Sequence, residues 1–273
     1  MKPVIKRVMN DIWFDISHPS FTNFNNYFSF LCNTIRAKVI NCPDLSSEVF
    51  FWEQAYYRYY VSGKHPSWWD MSLTKNRYSK EMMNILNILS KDFDEKLKLI
   101  DVGSGPVTSY FDKIDITAWE IVTVDPLAKV YNNLNKKYNA DYSIRCIEGT
   151  GEQINEIFDR NSFHLVLSQN AIDHSLIPLK FINNLVYICK PGGFIYLSGF
   201  IKEGTAANWL GLHKHDLYVS NNDLYWTNWN NTANNINITE NLDITLFHKD
   251  VEGNKPGDKF KLIYRKSLGG DSD

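Results

Sequence analysis

At 273 residues, 44% apolar and 22% charged, the chain has the size and composition of one elaborated globular α/β domain with a buried core. A formal net charge of -2 provides no strongly basic face for a phosphate backbone, which argues against nucleic acid as a partner. Cys32, Cys42, Cys146 and Cys189 form no CxxC pair and no Cys/His cluster at zinc spacing, so they read as reduced thiols of a cytoplasmic protein. No run of about 18 apolar residues predicts a membrane span, and Met1–Trp13 lacks the apolar core of a signal peptide.

Residues 1–78 are rich in aromatics and interrupted by Pro19, Pro43, Gly63 and Pro66, which predicts an N-terminal cap of short helices and loops. Within it Val49–Tyr60 reads as a helix with one face in an apolar groove. Residues 79–268 form the main domain. Met82, Ile85, Leu86 and Leu89 fall at i, i+3, i+4 and i+7 and mark an amphipathic helix. Strands are then expected at Leu97–Val102, Glu120–Val124, Ser143–Ile147, Phe163–Ser168 and Phe194–Phe200. A helix through Phe181, Leu185, Val186 and Cys189 precedes the last of these and stops at Pro191-Gly192-Gly193. The alternation of strand and helix predicts a parallel sheet with crossover helices. Asn221–Asn241 reads as an Asn-rich loop, Ile244–His248 and Phe260–Tyr264 as a closing hairpin, and 269–273 as a disordered tail.

Leu99–Pro106 is an apolar strand that ends in Asp101 and runs into a turn with Gly103 and Gly105. Such glycines allow a sharp turn and close approach of a ligand to the backbone. The dinucleotide spacing G-x-G-x-x-G fails, because Thr108 stands at the third glycine, and Asp101 would repel a pyrophosphate. Both features favour a cationic ligand. Asp125 ends the second strand about 20 residues beyond the turn, where an acid pairs with a ribose hydroxyl pair. An adenosyl ligand is therefore expected.

Five motifs in order resemble those of class I S-adenosylmethionine (SAM)-dependent methyltransferases, over roughly residues 80–265. Asp101–Gly105 resembles the first motif, Asp125 the ribose-binding acid, and Ile147–Glu152 the third motif. Phe163–Asn170 resembles the fourth, and Lys190–Gly193 the turn before strand five. The resemblance implies a Rossmann-like, seven-stranded, mostly parallel α/β sheet with an antiparallel C-terminal hairpin beneath an N-terminal helical cap. It implies SAM as cofactor, held by Asp101, Gly103, Gly105, Asp125, Pro126, Thr150, Gly151, Glu152, Gln169 and Asn170. Thr150 stands where the family often has an acid that contacts adenine.

The acceptor is expected beside Gln169–His174, at the carboxyl edge where open α/β sheets place ligands. Asp173 or His174 would remove a proton or orient the acceptor, or else cap the next helix. His213 and His215, two residues apart, read as acceptor contacts, with His213 a further catalytic candidate. A third metal ligand is missing from that pair, and no metal site is assigned. Arg58 and Tyr59 on the cap helix are candidate substrate contacts, or else structural. The implied reaction is methyl transfer to an O or N atom of a small molecule, by a monomer or homodimer. The Asn/Lys/Ile-rich composition suggests, by analogy, bacterial surface-polysaccharide tailoring. The alternatives are a catalytically silent SAM-fold subunit and an NAD-dependent oxidoreductase.

Overall fold

Leu97–Val102 (β1) and Phe163–Gln169 (β4) are almost continuous apolar runs, which suits strands buried on both faces of a parallel sheet. The computed structural model describes residues 45–60, 80–106, 119–140, 146–209, 212–228 and 231–268. Most of the N-terminal cap, Trp68, Trp69, Thr108, Gly211 and the tail 269–273 lie outside the described residues. β1 and β4 pair in parallel at the centre of a seven-stranded sheet. β2 (Trp119–Asp125) and β3 (Cys146–Glu148) extend it on one side, and β5 (Cys189–Phe200) on the other. A hairpin of β9 (Ile244–Val251) and β10 (Lys259–Lys266) completes it, with β10 antiparallel to β5. The order β3-β2-β1-β4-β5-β10-β9 is the Rossmann-like, mostly parallel sheet with an antiparallel C-terminal hairpin.

Alternation of side chains along each strand builds two core layers. Leu99, Leu165, Leu167, Phe194 and Tyr196 face the helix α2 (Lys80–Asp92) through Met82, Ile85, Leu86 and Leu89. Ile100, Val102, Val166, Ile195 and Leu197 face Phe181, Ile182 and Leu185 of α5 (Pro178–Ile188), whose first turn starts at Pro178. Two further helices, α3 (Ala128–Tyr138) and the single-turn α4 (Ile154–Ile157), lie between β2 and β4 in the chain. The helix expected in the cap is α1 (Leu45–Tyr60). Trp52, Ala55, Tyr56 and Tyr60 recur at helical spacing and pack on Leu134 and Tyr138 of α3. Among the described residues no helix is long and apolar enough to cross a membrane.

The Asn-rich stretch is not a loop. A short helix, α6 (Glu203–Ala206), follows β5, and a three-stranded antiparallel sheet of β6 (His215–Ser220), β7 (Asp223–Asn228) and β8 (Asn231–Asn237) comes next. The polar residues alternate with Leu224, Trp226 and Ile236, and Tyr218 stacks on Tyr225 across β6 and β7. Antiparallel ladders tolerate one polar face, so Asn content alone misses them. The strand expected at Phe194 begins at Cys189, because Gly192 takes a left-handed φ of 77° and the chain bends without leaving the sheet.

Lys266 ties the end of α5 and the start of β5 to the turn before β4 from a buried position. Its ammonium donates to Asn161 Oδ1 (2.9 Å) and to the carbonyls of Val186 and Cys189 (both 2.8 Å). Lys266→Met keeps the stem but leaves those acceptors unpaired. A loss of about 2–3 kcal/mol is expected, read as a lower urea midpoint at unchanged slope.

Candidate functional site

The carboxyl edge of the sheet, where β1 and β4 leave in opposite directions, is the place such sheets bind ligands. At the end of β1, Asp101 is buried and the chain turns through left-handed φ values of 74° at Gly103 and 64° at Gly105. The Gly103 N–H donates to Val124 O (2.8 Å), which hangs the turn on β2. A Cβ on Gly103 would lie 2.3 Å from Ala171 Cβ, so the turn is pressed against the segment that follows β4. On its other side, the Trp52 side chain of α1 comes within 3.9 Å of where a Cβ of Gly105 would be. The cap helix therefore lies over the glycine turn.

Asp125, at the tip of β2, accepts the N–H of Gly105 (3.0 Å) and that of Leu127 (2.8 Å) on its two carboxylate oxygens. Pro126 and Leu127 then lead into α3. Burial drives the Asp125 pKa up to about 6, against the two backbone bonds, and Glu48 of α1 pushes in the same direction as burial.

The third-motif segment is held by α5. Asn184 Nδ2 donates to the carbonyls of Gly151 (3.1 Å) and Glu152 (2.8 Å), and a Cβ on Gly151 would run into the Phe181 ring at 2.3 Å. Glu152 is buried, and one carboxylate oxygen accepts the N–H groups of Leu176 (2.6 Å) and Ile177 (3.2 Å). It organises the entry to α5. Thr150 faces outward, with its hydroxyl 3.3 Å from Gln153 Oε1.

Beyond β4, Gln169 ends the strand and Asn170 takes a left-handed φ of 50°, with its N–H on Ser198 O (2.8 Å). The chain then forms a 3-10 turn, Ile172–His174, that points Asp173 and His174 toward His213. The His213 Nδ1 lies 2.8 Å from Asp173 Oδ2 and 3.0 Å from His174 Nε2, and the latter lies 3.3 Å from the same Asp173 oxygen. Glu203, opening α6, places Oε1 3.8 Å from His213 Nδ1. Asp216 of β6 fixes that helix by accepting the Thr205 N–H (2.7 Å) and hydroxyl (2.5 Å). Asp173 is buried, whereas the two imidazoles are each 27% exposed, so the cluster has an open side.

Charge in this cluster is interdependent. Burial opposes the Asp173 carboxylate, but the two histidines outweigh it and hold its pKa low. Burial likewise opposes charge on His213, yet Asp173, Glu203 and Glu48 together hold its pKa above the ordinary imidazole value. Glu203 goes up to about 7, from burial first and from the neighbouring Asp173 second. Glu48, in the first turn of α1, pushes both Asp125 and His213 upward.

Residues 100–197 match the methyltransferase domain family. No curated protein matches the chain as a whole. Among solved structures, a SAM-dependent methyltransferase from Aquifex aeolicus is 15% identical, with a TM-score of 0.43 over 69% of this chain and 94% of its own. The 1,6-didemethyltoxoflavin-N1-methyltransferase of Burkholderia thailandensis, solved with its substrate and S-adenosylhomocysteine, is 14% identical, with a TM-score of 0.44 over 83% of this chain and 91% of its own. At these identities and scores the likeness carries nothing about chemistry. The methyltransferase-domain segment runs from β1 to β5 and so contains the glycine turn, Asp125, Asp173 and His174.

Of the residues singled out by sequence, the fold brings Asp173, His174 and His213 into one cluster. It takes His215 away from it. Both ring nitrogens of that histidine are used inside the fold, Nε2 toward Ser175 O (2.7 Å) and Nδ1 accepting the Trp226 indole N–H (2.8 Å). His215 is thus a buried brace between β6, β7 and the loop after Ile172, because β6 begins at His215 whereas His213 stands before the strand and escapes its register. The side chains of Arg58 and Tyr59 lie outside the described residues. Glu48, Glu203 and Asp216 went unread. The signal available for Glu203 was an acid just beyond the fifth strand, on the sheet edge that carries Asp173.

A carboxyl whose folded pKa lies above its unfolded value contributes most below the unfolded value and loses that contribution as pH rises through the folded one. Asp125, raised from 3.8 to about 6, therefore weakens the ligand-free fold as pH climbs through that window. Asp125→Asn is expected to be more stable than the parent at pH 7.5, by up to about 3 kcal/mol. Thermal melts of both proteins at pH 4 and pH 7.5 check the sign, since the gap closes at the acid end.

Proposed function

We propose that the protein binds SAM along the Gly103–Gly105 turn and transfers its methyl group to an oxygen or nitrogen of a small molecule held at Asp173, His174 and His213. The observation that carries this reading is the union of the glycine turn with Asp125, through the 3.0 Å bond from the Gly105 N–H. An ionised carboxylate offers about four lone-pair positions. The Gly105 and Leu127 N–H groups use two, which leaves places for the two ribose hydroxyls.

The charges around the turn suit a cation. Asp101, Asp125 and Glu48 favour an ammonium and a sulfonium and disfavour a pyrophosphate, which counts against a nicotinamide cofactor. Gln169 and Asn170 lie at the strand end beside the turn and are assigned to the methionine part of SAM. Thr150 and the Gly151 backbone are assigned to the adenine side. The Glu152 carboxylate already serves Leu176 and Ile177, so its contribution is to set the shape of that loop.

Methyl transfer is an in-line displacement: an acceptor lone pair attacks the methyl carbon opposite sulfur, and the C–S electron pair stays on sulfur. Positioning supplies much of the rate, because the sulfonium is already activated. A hydroxyl or ammonium acceptor must also lose a proton, and the cluster beyond β4 is the polar group set on that side of the turn. α1, over the turn, would keep water out. A sugar hydroxyl, the acceptor class that composition favours by analogy, meets this description.

Calorimetric titration tests the reading. SAM and S-adenosylhomocysteine are expected to bind saturably, and NADH not at all. Because the ribose hydroxyls donate to an ionised Asp125, the affinity should hold at pH 7.5 and fall about tenfold per pH unit below about 6. Asp125→Ala should abolish binding. A folded parent protein that ignores SAM would sink the proposal.

A further inference from the structure

We propose that Asp173 Oδ2, His174 Nε2 and His213 Nδ1 form a binding site for one divalent transition-metal ion, with an open position facing the acceptor. The site itself stands on geometry alone; the role given to the ion rests on the methyl-transfer reading.

The three atoms are mutually 2.8, 3.0 and 3.3 Å apart. Hydrogen bonding alone accounts poorly for that triangle. An imidazole nitrogen offers in its ring plane either one N–H or one lone pair. If His213 Nδ1 donates to Asp173, it has nothing left to accept a proton from His174. If it accepts from His174, its lone pair faces the carboxylate oxygen. If both rings donate to Asp173, two N–H groups confront each other at 3.0 Å. A cation just off the plane of the triangle can take all three lone pairs at once. Ligand atoms bound at about 2.1 Å in neighbouring tetrahedral or octahedral positions lie about 3.0–3.4 Å apart, close to the observed spread.

The surroundings fit a metal centre as well. Two imidazoles and one carboxylate are the donor set of catalytic zinc sites that keep a place for substrate. Among the described residues, these three side chains bring one ligand atom each close enough together to hold a single ion. The carboxylate is buried and the rings are partly exposed, so an ion can enter from the solvent side. Glu203 stands 3.8 Å from His213 Nδ1, with its second oxygen buried and lacking a hydrogen-bond partner. It adds negative charge and a position for a fourth ligand or for a metal-bound water. The donors come from the turn after β4 and from the approach to β6, 40 positions apart in sequence. No local spacing announces them.

At the open position the ion would bind the acceptor hydroxyl and acidify it, so that its proton leaves to solvent. The oxygen then forms its bond to the methyl carbon as the C–S bond breaks and the electron pair stays on sulfur. The product is the methyl ether with S-adenosylhomocysteine.

The test uses the full chain, stripped with EDTA and titrated with Co2+ under visible spectroscopy and with Zn2+ by calorimetry. One Co2+ per chain is expected, with ligand-field bands that Zn2+ displaces. His174→Ala and His213→Ala should each weaken binding on the order of a hundredfold, while S-adenosylhomocysteine binding persists in both and certifies the fold. Failure of the parent protein to take up Co2+ and Zn2+ overturns the site, as does unchanged affinity in either variant. Metal uptake without binding of S-adenosylhomocysteine would keep the site and remove the methyl-transfer reading instead.

Discussion

The site depends on one close approach. Gly103 must turn with a positive φ directly against Ala171, with no room for a side chain between them. This contact fixes the distance between the end of β1 and the segment that carries Asp173 and His174. The same turn is hung on β2 by the Gly103 N–H and held by Asp125 through Gly105. Three parallel strands thus bring a glycine turn, an acid and the Asp173–His174 segment to one edge. Displacing any of them displaces the others.

Charge is the second organising element. Asp125 sits in the fold at a cost, because burial raises its pKa against the two backbone N–H groups that it accepts. Glu48 and Asp173 continue the negative surroundings toward His213. Cationic cofactor and metal ion would both be drawn to such an edge. A phosphate-bearing cofactor would not.

The parallel half of the fold was legible in the sequence, since β1, β2, β4 and α2 have apolar periodicity strong enough to outweigh their surroundings. So were the Gly103–Gly105 turn and Asp125, because their residue types answer to backbone geometry and to position at a strand tip. The β7–β8 pair was hidden by its asparagines, whose turn-forming character outweighs the few apolar residues in the pattern although the backbone pairs as a ladder. His215 was misplaced for a related reason. Two histidines two residues apart look alike in sequence, but only the structure shows that one braces Trp226 and Ser175 while the other meets Asp173. Glu203 needed the tertiary fold, because its partners lie on a different strand connection.

On the proposed function, the glycine turn and the Asp173–His174–His213 cluster are two halves of one methyl-transfer site. The position of sulfur in a crystal structure with S-adenosylhomocysteine tests this most directly. The ribose is expected on Asp125 and the sulfur facing the cluster, with open space between for an acceptor. A ligand whose sulfur faces away from His174 and His213, or whose ribose lies elsewhere than on Asp125, would contradict it.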